Sequence, residues 1–128
     1  MTTRRLHLAP TEREILWVLS EAEEENLPAL LNTIHKGFSA ISRQEMMMVA
    51  EKSLRNLYAK GFGDLCIETR GPGRLLTPLS SSEAKKALTF GKVLVWNSEK
   101  KMWDWDVQQN SEWVVVTLTE KGKEALAR

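Results

Sequence analysis

The apolar residues of this chain keep one period up to Gly61 and another beyond it. Before that glycine they recur at three- and four-residue steps, the spacing of a helix face. After it come short runs of strand formers and strict alternation. Helices first and strands afterwards make an α+β chain. Its 128 residues fit one domain over 1–128.

Three helices are predicted ahead of Gly61. Thr11-x-x-Glu14 has capping-box spacing, and Ile15, Val18, Leu19 and Ala22 follow it at helical steps. The acidic run Glu21 to Glu25 opposes the dipole of a helix C-terminus, so this helix is expected to end there on a solvated side. The second starts near Leu27, with Pro28 suited to the first turn, a Leu27, Leu30, Leu31, Ile34 stripe, and Gly37 as a left-handed end. The third runs over 42–60. Ser42-x-x-Glu45 opens it, Met47, Ala50, Leu54 and Leu57 form its stripe, and Gly61 ends it.

Past Gly61, Leu65 to Thr69 is predicted as a strand, Gly71-Pro72-Gly73 as a turn, and Arg74 to Thr77 as a returning strand stopped by Pro78. Ser80-x-x-Glu83 opens a short helix through Phe90, closed by Gly91. Strands follow at Lys92–Trp96, Met102–Val107 and Trp113–Leu118, and Thr119 caps a last helix over Glu120–Ala127. Trp103, Trp105 and Val107 alternate with Asp104 and Asp106, so the tryptophans share one face of their strand.

Composition narrows the function classes. Eighteen Lys and Arg against seventeen Asp and Glu leave a net charge of +1, without the basic excess of many nucleic-acid binders. Any such role must rest on a local patch. The charges are uneven: residues 1–26 hold three arginines against six glutamates, and residues 84–101 hold five lysines against one glutamate. No apolar run approaches the roughly 20 residues of a membrane helix, and Met1 to Pro10 contains no apolar signal core. A cytoplasmic protein without membrane contact is expected. A single cysteine and two histidines leave no internal disulfide and no His-rich metal site. Cys66, in an apolar strand, is expected to be a buried structural thiol. No nucleophile–base constellation or phosphate-binding loop is visible, so neither an enzyme nor a bound cofactor is expected.

Two stretches carry a family resemblance. Leu54-Arg55-Asn56-Leu57-Tyr58-Ala59-Lys60-Gly61-Phe62 looks like the end of the recognition helix in bacterial winged-helix regulators of the multiple-antibiotic-resistance and phenolic-acid types. Val116-Thr117-Leu118-Thr119-Glu120-Lys121-Gly122-Lys123-Glu124-Ala125-Leu126 is similar to their last wing strand and following helix. Together they cover about 20 residues. The resemblance implies a winged helix-turn-helix fold, with three N-terminal helices, an extended hairpin or wing carrying an inserted short helix, and a closing C-terminal helix. It also implies a dimeric DNA-binding transcription regulator. The chain departs from that pattern between the two stretches. An ordinary wing takes roughly 10 to 20 residues, whereas residues 62–112 intervene here. Either Asp64–Leu79 is a complete small wing with a later hairpin added, or the short helix is inserted into a larger wing. The position of the closing helix favours the second.

On this reading the third helix meets duplex DNA. Arg43 and Gln44 stand at its N-terminal end, where recognition helices meet base edges. Lys52 and Arg55 lie near phosphates, and Arg70 and Arg74 flank the glycine turn as a further contact. A contiguous positive stripe joining Arg43, Lys52, Arg55 and Arg74 favours DNA, whereas a neutral or acidic third-helix face with exposed tryptophans favours protein binding. Residues 97–112 hold two lysines against four carboxylates, which makes the later hairpin a poor wing. The alternative is a protein-interaction module of the same fold. Four of the five tryptophans fall between Trp96 and Trp113, and Trp103 and Trp105 form an aromatic surface for another subunit. A homodimer through the first helix, the hairpin or both is expected.

Overall fold

The computed structural model describes residues 8–37, 41–106 and 113–127. Among these are six helices and six strands, an α+β architecture as expected. α1 spans Pro10–Ala22, β1 Glu24–Asn26, α2 Leu27–Gly37 and α3 Arg43–Ala59. β2 (Gly63–Arg70) and β3 (Arg74–Pro78) follow, then the short α4 (Ser81–Ala87) and α5 (Phe90–Val93). The chain closes with β4 (Leu94–Asn97), β5 (Met102–Trp105), β6 (Trp113–Leu118) and α6 (Glu120–Ala127). Val107, expected to end the strand that begins at Met102, lies outside the described residues.

The helix ends mostly follow local chemistry. α3 begins at Ser42, whose Oγ accepts from the Glu45 N–H at 3.1 Å. It ends with Gly61 at φ 77°, a left-handed position that only glycine adopts without strain. Around Gly61, the Phe62 N–H reaches the Leu57 carbonyl and the Gly61 N–H the Tyr58 carbonyl, closing two orphan acceptors. The start of α1 differs from expectation. Pro10, with φ already helical and no N–H to satisfy, takes the first position. Glu12 instead of Glu14 then returns its carboxylate to the Ala9 N–H. That carboxylate is buried and also accepts from Lys60 and Asn56, which ties α1 to the end of α3. Gly37 stays helical, so it is not the left-handed end expected of it.

One sheet has the order β1-β6-β2-β3, all antiparallel; a second holds only β4 and β5. β1 was not foreseen, because Glu24-Glu25-Asn26 has no strand propensity. Pairing with β6 alone makes it a strand, with Glu25 opposite Val116. Between the sheet neighbours β2 and β6, the described residues 71–106 form one excursion. Within it, the expected helix through Phe90 is two: α4 stops at Ala87, and α5 takes in Gly91.

One apolar cluster draws on every helix and on β2, β4, β5 and β6. α2 contributes its whole predicted stripe. In α3 the fully buried methionine is Met46, which lies in register with Ala50, Ser53 and Leu57, while Met47 is only partly buried against the core. Val114 and Val116 face this core from β6. Val115, between them, is buried on the opposite face of the sheet, where Cys66 pairs with it in register.

Candidate nucleic-acid interface

The structure scatters the positive stripe. Arg43 and Gln44 are exposed in the first turn of α3, and Lys52 is exposed farther along it. Arg55 is half-exposed, but its head is tied down. Its guanidinium donates to Thr89 Oγ1 at 3.1 Å and to the Lys85 carbonyl, with the Glu51 carboxylate 3.8 Å away. Glu51 in turn accepts from the Phe90 N–H at 2.7 Å. The pair thus braces α3 against the α4–α5 segment, a role that the i,i+4 spacing alone did not reveal.

Arg74 is also committed elsewhere. It is held bidentately by Glu24 of β1 and paired with Glu68 of β2. These bonds hold the Glu24 carboxyl below its ordinary range and raise the Arg74 guanidinium above its own. Its charge is neutralised on the sheet, far from the role of a bare phosphate anchor. Arg70 pairs with Arg74 at the last register position of β2 and β3.

The tryptophan surface is corrected as well. Trp103 and Trp105 are 5% and 8% exposed and belong to the core. The reason is the face they share, because β5 lays it against α2. Asn32 of α2 accepts from the Trp103 N–H at 2.7 Å and donates to the Trp103 carbonyl at 3.0 Å, as a neighbouring strand would. The rings left exposed are Trp17 of α1 and Trp113 of β6.

A different set of cations converges instead. Trp96 of β4 stands opposite Trp103 and packs edge-to-face on it, with centroids 5.4 Å apart. His35 in the last turn of α2 meets Trp96 edge-on at 6.2 Å. The Arg43 guanidinium lies over the Trp96 ring, 4.6 Å from its centroid. Beside this stack opens a groove of about 440 Å³, lined by Asn32, His35, Lys36, Trp96, Lys100, Lys101 and Met102.

Local chemistry sets the two hairpin lysines. Asn97 Oδ1 accepts from the Glu99 and Lys100 N–H groups, and Lys101 takes a left-handed φ of 53°. This tight turn puts both lysines at the tip. Strand alternation sends Asp104 to the other hairpin face with Val95, where its carboxylate accepts from the Trp105 N–H. Among the described residues, Lys36, Arg43, Lys100 and Lys101 have no carboxylate partner. Many carboxylates are engaged elsewhere: Glu12 by Lys60, Glu24 and Glu68 by Arg74, Glu51 by Arg55, and Glu83 by the Ser80 N–H. A net charge near zero thus coexists with a concentrated basic patch.

Sequence reasoning missed Trp96, His35, Lys36, Lys100 and Lys101 as site residues, since some 60 positions separate the α2 group from the hairpin group. The lysine excess over 84–101 was the available signal. Among the described residues no helix is long and apolar enough to cross a membrane. In comparisons with known proteins, no family model, curated protein or solved structure matches the chain.

Proposed function

We propose that this chain is a winged-helix-type DNA-binding module of a transcription regulator, which meets duplex DNA with the first turn of α3 and the β4–β5 hairpin. The order of elements supports the fold half of this reading: helix, short strand, two helices, then a strand whose partner leads into the closing helix. In that reading β1, β6 and β2 are the wing sheet, and residues 71–106 elaborate the wing. Arg43 and Gln44 address base edges, and Lys36, Lys52, Lys100 and Lys101 address phosphates. Met48 and Val49, exposed on the same helix, offer apolar contact to thymine methyl groups. A two-fold dimer belongs to the same proposal, with Trp17 of α1 as its exposed aromatic ring.

The observation that carries the reading is the set of four cations around Trp96 that have no carboxylate partner among the described residues, next to the N-terminus of α3. The test is a salt series on random duplex DNA. Each phosphate contact contributes about −0.9 to the slope of log K against log salt, so the hairpin lysines together should supply about −2. Lys100→Ala with Lys101→Ala should flatten the slope by that amount. An absence of duplex binding at low salt refutes the proposal.

A further inference from the structure

Arg43 differs from the other cations of the patch in being held. Its guanidinium lies over the Trp96 ring, 4.6 Å from the centroid, whereas none of the three lysines has a partner among the described residues. The cation–π contact leaves the guanidinium N–H donors without a hydrogen-bond acceptor among the described residues. Glu45, the nearest carboxylate in sequence, is engaged with Ser42 Oγ at 3.3 Å.

The platform under Arg43 is itself anchored. Trp96 rests on Trp103, and Trp103 is fixed to α2 by both amide atoms of Asn32. The support therefore runs from α2 through β5 and β4 to the first turn of α3. A planar donor fork held at a helix N-terminus matches the O6/N7 edge of guanine, which a lysine cannot address in two-point fashion.

We infer that Trp96 is a positioning residue that holds Arg43 for reading a base edge, so that the Trp96–Arg43 stack sets sequence preference while the lysines set affinity. The inference rests on the DNA-binding reading above and adds the source of specificity. It also gives the β4–β5 hairpin two tasks: Lys100 and Lys101 contact backbone at its tip, and Trp96 orients the reader from its flank.

The experiment selects a preferred duplex from a random pool with the full chain, then measures binding to it and to a scrambled duplex by fluorescence anisotropy at one salt concentration. Arg43→Lys keeps the charge but loses the planar fork. Trp96→Leu removes the platform, and Trp96→Phe keeps a ring there. The ratio of preferred to scrambled affinity should fall about 5- to 150-fold in Arg43→Lys, the worth of one bidentate base contact. It should fall comparably in Trp96→Leu, with the double variant little worse than either single one. Trp96→Phe should recover part of the ratio. Scrambled-duplex affinity and its salt slope should not change in any of these variants. Lys100→Ala with Lys101→Ala should weaken both duplexes equally.

An unchanged ratio in Arg43→Lys overturns the inference, and so does a ratio lost in Arg43→Lys but kept in Trp96→Leu. If Trp96→Leu loses its circular-dichroism signature, Arg43→Lys and Trp96→Phe decide the matter. Wild-type protein that binds all duplexes equally defeats the inference and leaves the DNA-binding reading standing. Wild-type protein that binds no duplex defeats both.

Discussion

Gly122 sits inside α6, where helix propensity favours alanine by about 1 kcal/mol, so Gly122→Ala should stabilise an isolated helix. Packing reverses the sign. A Cβ at this position would stand 2.1 Å from the Phe62 carbonyl oxygen and 2.7 Å from Leu118 Cδ1. Ordinary contact starts near 3.4 Å, so helix and backbone must separate by more than an ångström. Two hydrogen bonds tie the start of α6 to the Gly61–Phe62 backbone: Thr119 Oγ1 donates to the Gly61 carbonyl at 2.7 Å, and the Thr119 N–H to the Phe62 carbonyl at 3.2 Å, while Thr119 Oγ1 also accepts from the Gly122 N–H at 3.0 Å. Losing both costs about 2 kcal/mol, and forcing a methyl into a filled site costs about 1–3 kcal/mol more. Net of propensity, Gly122→Ala should destabilise by about 2–4 kcal/mol. In a chain of this size that lowers Tm by roughly 8–15 °C. Thermal unfolding followed by circular dichroism measures it. A variant that melts at or above the wild-type temperature refutes the close approach of α6 to Phe62.

Other outcomes follow from the same geometry. Glu24 is held below its ordinary value of 4.5 by Arg74, so its stabilising share is complete above that pH and disappears as pH falls through the lowered value. Arg74→Met should therefore lose stability at neutral pH and show a shallower acid decline, and an unchanged acid profile in urea titrations contradicts the pairing. Cys66 is buried, and that burial first, then the Asp64 charge, pushes its thiol up; a thiol reagent at mild pH should label it slowly in the native protein and rapidly in urea, and fast native labelling disproves its burial. Asn32→Ala removes both side-chain bonds to the Trp103 backbone and should lower stability by about 1–3 kcal/mol, with faster amide exchange at Trp103; unchanged exchange there refutes the anchoring. Sedimentation at tens of micromolar should show a dimer that Trp17→Gln shifts towards monomer, with loss of the concentration dependence of Tm, while a wild-type monomer ends the dimer proposal.

Where a local rule decides, the chain announces its structure. Ser42 and Ser80 cap helices as their spacing requires, Gly61 ends α3 with a left-handed φ, and the α2 stripe is buried whole. Each needs only neighbours within four residues, because caps, stripes and turns are short-range chemistry. The α+β class and the hairpin of Leu65–Thr77 follow from such signals too. Tertiary contact decided the rest. Glu24 to Asn26 is a strand only because β6 lies beside it. Trp103 and Trp105 became core because α2 covers their face of β5, although alternation already said that they share one. Likewise, whether a surface arginine is free depends on carboxylates distant in sequence. Arg74 meets Glu24 across 50 positions and is neutralised, while Arg43 meets no carboxylate among the described residues and lies over Trp96. Summed charge contains none of this, because an ion pair depends on distances of a few ångströms that only the folded chain sets.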